Sequence, residues 1–164
     1  MSNVTYASTM RVCRSMTRVL IIGFGNPLRS DDGLGWLAAK ELSGEFAEGV
    51  QIVAVHQLLP EMTELVSHAE RVLFIDAARH GVPGEIRVVE VGEPEPSGTQ
   101  SHELTPATVL KLAADLYGKR PASQLLTVTG ENFETGDTLT PRIAAALVDV
   151  LKRVREWVHS AQST

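Results

Sequence analysis

The sequence predicts a single three-layer α/β/α domain built around a twisted, mainly parallel sheet of five strands. Three observations carry this. Short continuous apolar runs alternate with segments of helical periodicity. Glycine, proline and polar residues bound those runs. The chain has 164 residues, enough for one domain with a sizeable core.

The first run is Arg18–Gly23 (RVLIIG), which suits a strand buried on both faces. The loop after it reads GFGNPLRSDDGLG, Gly23–Gly35, and Leu34, Leu37, Ala38 and Leu42 then recur at helical spacing. Val50–Val55 is a second strand. Pro60–Ala69 is a second helix with Met62, Leu65 and Val66 turned inward. Arg71–Ala77 (RVLFIDA) is a third buried strand, ending on the acid Asp76. Gly84–Val91 alternates in part and fits an edge strand, and residues 92–101 form a loop by composition.

Thr105-Pro106 opens a third helix, because threonine caps and proline is tolerated at the first helical position. Its apolar positions are Val109, Leu112, Ala113 and Leu116. Leu125–Val128 is the fifth strand. Thr140-Pro141 repeats the start signal for the last helix, whose buried stripe is Ile143, Leu147, Val150, Leu151, Val154 and Val158. Asp149, Lys152, Arg153 and Glu156 lie outside that stripe. The order β-α-β-α-β-β-α-β-α sandwiches the sheet between helices.

The domain is expected to span residues 17–160, after a flexible N-terminal extension at 1–16 and before a short tail at 161–164. The first twenty residues hold Arg11, Arg14 and Arg18 with several Ser and Thr and no acid, as a transit peptide would. No apolar signal core follows, and Met16 stands just before the first strand, which favours a plain extension. The net charge of −5 argues against a general nucleic-acid binder. One cysteine, Cys13, allows neither an intrachain disulfide nor a thiolate zinc site, and suits a reducing cytoplasm. No apolar run approaches the roughly 20 residues that span a bilayer.

In folds of this kind ligands gather outside the carboxyl ends of the strands. Three chemical features fall there: the loop with Asp31 and Asp32, the strand-ending Asp76, and His102 in the loop before the third helix. Two carboxylates and an imidazole suit a divalent ion of borderline character such as nickel or zinc. Each also has an ordinary reading. One of Asp31 and Asp32 is expected to cap the helix that starts near Gly33. Asp76 can stabilise a turn, and His102 can be a solvated loop residue. His80 and His56 are rival ligands, while His68 and His159 sit on helices as surface groups.

Other chemistries fit less well. Gly23 and Gly25 hint at a dinucleotide fingerprint, yet Leu28 stands where its third glycine belongs and no acid ends the second strand. No P-loop, HExxH or GxSxG motif occurs. Cys13 lies in the extension and makes a poor nucleophile.

The segment GFGNPLRSDDGLG resembles the N-terminal signature of the nickel–iron hydrogenase maturation endopeptidases. RVLFIDA with Asp76, the loop with His102, and ENFETGDTLTPRI follow in order, so the resemblance covers the chain from Thr17 onward. It implies the same α/β fold. It further implies an endopeptidase that removes the C-terminal extension of a hydrogenase large-subunit precursor once nickel is inserted. Nickel is then supplied in the substrate as a recognition element. The resemblance assigns Asp32, Asp76 and His102 as the metal-contacting and catalytic set. It also implies a cytoplasmic monomer whose partner is the precursor, with no nucleic acid and no membrane.

HQLLPEM, His56–Met62, and LYG, Leu116–Gly118, are similar to the branch that serves bidirectional, NAD-linked hydrogenases. That makes His56, Gln57 and Glu61 candidates for substrate recognition, beside Asn26 and Asp31 of the first motif. Their ordinary reading is structural: Leu58 and Leu59 pack, and Pro60 and Glu61 start a helix. Two other functions stay open at this point. One is a non-catalytic factor that binds the precursor or nickel. The other is a nucleotide-binding protein using Gly23–Asn26. Water activation by an open metal and by a carboxylate base are both compatible with the sequence.

Overall fold

The structure, a computed structural model, describes residues 17–96 and 103–163. The chain runs β1 (Val19–Phe24), a 3-10 turn (Ser30–Gly33), α1 (Leu34–Leu42), β2 (Val50–Val55), α2 (Met62–Ser67), β3 (Arg71–Ala78), β4 (Ile86–Glu90), α3 (Pro106–Tyr117), β5 (Ala122–Thr129) and α4 (Pro141–Gln162). The strands form one sheet in the order β2-β1-β3-β5-β4. All pairings are parallel except β4 with β5, which is antiparallel at the edge. The predicted three-layer fold is therefore present.

The central strands are apolar without interruption because both their faces are covered. Leu20, Ile22, Val72 and Phe74 pack on one side with Val66 of α2 and Val109, Leu110 and Ala113 of α3. Val19, Ile21, Leu73 and Ile75 pack on the other with Leu34, Ala38 and Leu42 of α1 and Ile143, Val150, Val154 and Val158 of α4. Each fully buried aliphatic of this size contributes about 1.5–3 kcal/mol, so the two strands that carry the site are the best anchored in the sheet.

α3 starts and stops as its sequence signals predict. Thr105 Oγ1 accepts the Thr108 N–H at 3.2 Å, Pro106 follows, and Gly118 closes the helix in the left-handed region at φ 67°. Other boundaries move. β5 extends back to Ala122, because its ladder with β3 begins at the Arg71–Ala122 pair and carries the polar Ser123 and Gln124 into the sheet. α4 continues past residue 160 to Gln162 with Ala161 buried, so the expected tail starts later. The N-terminal extension, including Cys13, lies outside the described residues.

The sheet order turns at β1. The chain places β2 on one side of it and β3 on the other. A crevice opens outside the carboxyl ends of β1 and β3 at such a switch, where no crossover helix covers the strand ends.

Candidate functional site

Asp32 and Asp76 are brought to this crevice, by backbone packing in one case and by sheet register in the other. β1 ends at Phe24, and Gly25 turns the chain at φ 144°. A Cβ at Gly25 would lie 1.9 Å from the Asp32 carbonyl oxygen, so only glycine lets the loop fold back on itself. Gly35 does the same for α1. A Cβ there would meet Ile75 O at 2.2 Å and Phe24 O at 2.5 Å. The first turn of α1 therefore rests directly on the ends of β1 and β3. Asp32, in the 3-10 turn just before, is held at that junction.

The Asp32 carboxylate is set by its own loop. Its Oδ2 accepts the Asn26 N–H at 2.9 Å, and Asn26 Oδ1 accepts the Leu28 N–H at 2.9 Å to close the turn. The other oxygen, Oδ1, faces Arg79 Nη2 at 4.0 Å. Asp32 keeps 22% of its side chain exposed, so one oxygen is fixed and the other is within reach of solvent or ligand.

Asp76 lies inside β3 rather than after it, since the strand continues to Ala78 and Asp76 pairs in register with Thr127. This is a departure from the sequence reading, which ended the strand on the acid. The register explains its electrostatics. Burial in the sheet raises its carboxyl from an ordinary 3.8 to about 7, against the Ala77 N–H that donates to Oδ1 at 2.8 Å and favours the charged form. The negative charges of Asp32 and Glu103 push the same way as burial, and Arg79 opposes them. Asp76 thus senses the charge of Asp32, which is pinned and partly exposed, while burial lets Asp76 hold a proton near neutrality.

Asp31, expected at the substrate, is placed elsewhere. It is 0% exposed, and its carboxylate accepts the N–H groups of Glu131 (2.8 Å), Asn132 (3.0 Å) and Thr140 (2.8 Å) and the Thr140 hydroxyl (2.9 Å to Oδ2). A carboxylate so enclosed has no face left for a substrate. The expectation that one of the two acids caps the following helix is also corrected: neither the 3-10 turn nor α1 has a side-chain cap. Asp31 instead ties the first loop to residues 131–140. Ser30 strengthens the tie, donating its N–H to Gly136 O at 2.9 Å and its hydroxyl to Glu134 O at 2.9 Å. The segments GFGNPLRSDDGLG and ENFETGDTLTPRI are thus halves of one structural unit.

His56 and Gln57 follow β2 at the same sheet edge and are exposed, and His56 meets Trp36 edge-on at 6.2 Å between ring centroids. Glu61 is exposed at the start of α2, while Leu58 is buried beneath it. His80 is exposed, and its backbone oxygen accepts from Thr129 Oγ1 at 3.5 Å. His102 lies outside the described residues, four positions before the Thr105–Pro106 start of α3.

Among the described residues no three His, Cys, Asp or Glu side chains are grouped to hold a metal. The described donor set is the pair Asp32 and Asp76, one in the 3-10 turn after β1 and the other near the carboxyl end of β3. Its chemistry fits a divalent cation. Oxygen donors suit such ions, and a cation would relieve both the burial of Asp76 and its repulsion from Asp32. The dinucleotide alternative fits poorly. The glycines of the first loop are used for close packing of backbone against backbone, and the loop turns the Asp32 carboxylate rather than a cation toward the crevice.

Arg79 is the site residue that sequence reasoning missed. It lies between the acid of β3 and the histidine loop and carries no motif. Its guanidinium stacks on the Phe133 ring at 4.5 Å, while Phe133 O accepts from Arg29 Nε at 3.3 Å.

No protein-family model matches the chain, and no curated protein is similar to it. Solved structures are. The NiFe hydrogenase maturation protease HycI from Thermococcus kodakarensis aligns with TM-score 0.73 and 20% identity, over 87% of this chain and 93% of that one. The hydrogenase maturating endopeptidase HybD from E. coli aligns with TM-score 0.71 and 20% identity, over 88% and 93%. The NiFe hydrogenase maturation protease HybD from Thermococcus kodakarensis aligns with TM-score 0.62 and 25% identity, over 85% and 98%. The fold is the one these proteases share.

Proposed function

We propose that the chain is a hydrogenase maturation endopeptidase, which removes the C-terminal extension of a nickel–iron hydrogenase large-subunit precursor after nickel insertion. The observation that carries the reading is the pairing of Asp32 and Asp76 at the β1/β3 switch point, in the fold of the HycI and HybD proteases. A cytoplasmic location goes with it. The segment His56–Met62 supports the branch that serves bidirectional, NAD-linked hydrogenases, with His56, Gln57 and Glu61 as the substrate-facing edge.

Asp32, Asp76 and His102 are the proposed contacts for the nickel carried by the precursor. Nickel held there would supply Lewis acidity toward a carbonyl of the substrate. The chain's own contribution is positioning and proton handling. The Asn26 N–H holds Asp32 Oδ2, which turns Oδ1 toward the crevice. Asp76, with its carboxyl raised to about 7, holds a proton or releases one at the pH of a cell. A site completed only by a nickel-bearing substrate does not act on an immature one, which makes a checkpoint without a regulatory domain.

The test is direct. The full-length protein is incubated with nickel-loaded precursor, and the large subunit is weighed by intact mass spectrometry. The expected product is shorter by its C-terminal extension. Asp32→Ala and Asp76→Ala slow the cut by about a hundredfold or more. A large subunit left at full length, under conditions that activate a known maturation protease, would favour a non-catalytic maturation factor instead. Normal rates in both variants would remove the proposed site.

A further inference from the structure

We propose that Arg79 is a positioning residue that serves as the resting counter-charge of the site and gives way to the incoming divalent cation. The guanidinium stands 4.0 Å from Asp32 Oδ1, the oxygen that the loop leaves unpinned. Its other contact is the Phe133 ring at 4.5 Å. That ring is a rigid platform. It lies so close over Gly130 that a Cβ there would meet Phe133 Cζ at 2.6 Å, and its backbone oxygen is held by Arg29. Gly130 in turn leads into the Glu131 and Asn132 N–H groups that bind Asp31. The platform is thus tied to the same buried carboxylate that orders the first loop.

The geometry is one of parking rather than locking. Arg79 is 53% exposed, and a single ion pair at 4.0 Å in that setting is weak and screened. Stacking on Phe133 keeps the charge near Asp32 without a bidentate grip on it. A divalent ion that coordinates Asp32 directly carries twice the charge at a shorter distance and outcompetes it. The guanidinium can then slide along the ring while remaining close enough to meet a carbonyl or carboxylate of the arriving chain end.

The inference rests on the protease reading for the identity of the arriving cation, but its test needs no substrate. Ni²⁺ binding to the full-length chain is measured by calorimetry at fixed pH and low salt, for wild type, Arg79→Gln and Arg79→Lys. The expected result is roughly tenfold tighter Ni²⁺ binding in Arg79→Gln, from removal of one like charge that stands 4.0 Å from the Asp32 oxygen offered to the ion. Arg79→Lys keeps the charge and stays near wild type. Raising the salt narrows the gap between wild type and Arg79→Gln. Equal affinity in wild type and Arg79→Gln would overturn the proposal. So would Arg79→Lys binding as tightly as Arg79→Gln, or no Ni²⁺ uptake by any of the three at millimolar ion. Should the variants bind in the expected order while nickel-loaded precursor stays uncut, the protease reading fails and the role of Arg79 stands.

Discussion

Asp31 and Thr140, 109 residues apart in the chain, are joined through both donors of the threonine: its N–H donates to Oδ1 at 2.8 Å and its hydroxyl to Oδ2 at 2.9 Å. Thr140 precedes Pro141 at the start of α4 and would ordinarily cap that helix. Its side chain makes no cap and is given over to Asp31. The link holds the last loop against the first and thereby fixes the floor on which Asp32 sits.

Asp31→Asn therefore acts on stability. The amide keeps the shape but offers N–H₂ to donors that need an acceptor, leaving buried groups unpaired. The expected loss is about 2–4 kcal/mol in urea unfolding. Thr140→Val, which removes only the hydroxyl, costs about 1 kcal/mol. Unchanged unfolding midpoints in both variants would refute the structural role.

Asp76→Asn has the opposite effect. The carboxyl of Asp76 is raised in the folded chain from 3.8 to about 7, so the folded state binds the proton more tightly than the unfolded one. Between those values stability falls as pH rises, and the deficit is complete above about 7. Removing the charge should thus leave stability nearly unchanged at pH 4 and raise it by roughly 2–4 kcal/mol at pH 8, while cleavage is lost. Urea titrations at the two pH values check this. A difference that does not depend on pH would show that the titration is not responsible.

Gly35→Ala tests the packing of α1. Its Cβ would collide with two backbone oxygens of β1 and β3, neither of which can rotate away. The expected cost is about 3 kcal/mol or more, or failure to fold. Gly44→Ala is the comparison: nothing lies within 4 Å of its Cβ, and only its φ of 78° opposes the change. That strain is worth about 1 kcal/mol. Similar losses at the two positions would contradict the close contact at Gly35.

His102 and His80 are separated by alanine substitution and Ni²⁺ titration. His102→Ala is expected to weaken binding by at least about tenfold, and His80→Ala to leave it unchanged. Loss confined to His80→Ala would move the third ligand to the loop after β3.

Several features could be read from residue order alone. The apolar runs of β1 and β3 are buried on both faces, so composition shows them without any fold. Threonine followed by proline marks the starts of α3 and α4, though only Thr105 caps its helix with its side chain; at α4 the fixed φ of Pro141 carries the signal. The glycines of the first loop announced a turn, but not that two helix and strand backbones touch there. The acids were conspicuous as types. Their roles were not, since Asp31 and Asp32 are adjacent in the chain and differ only in what surrounds them.

The sequence by itself determined the alternation of strands and helices and the presence of carboxylates at strand ends. Both follow from local periodicity and local chemistry. Only the tertiary structure decided which acid is structural and which faces the crevice. Donors from residues 131–140 enclose Asp31, while Asp32 turns toward Arg79. It also decided that Asp76 sits within the sheet, where burial keeps its proton to about pH 7. Desolvation and long-range hydrogen bonds depend on neighbours distant in the chain, and adjacency in sequence does not report them.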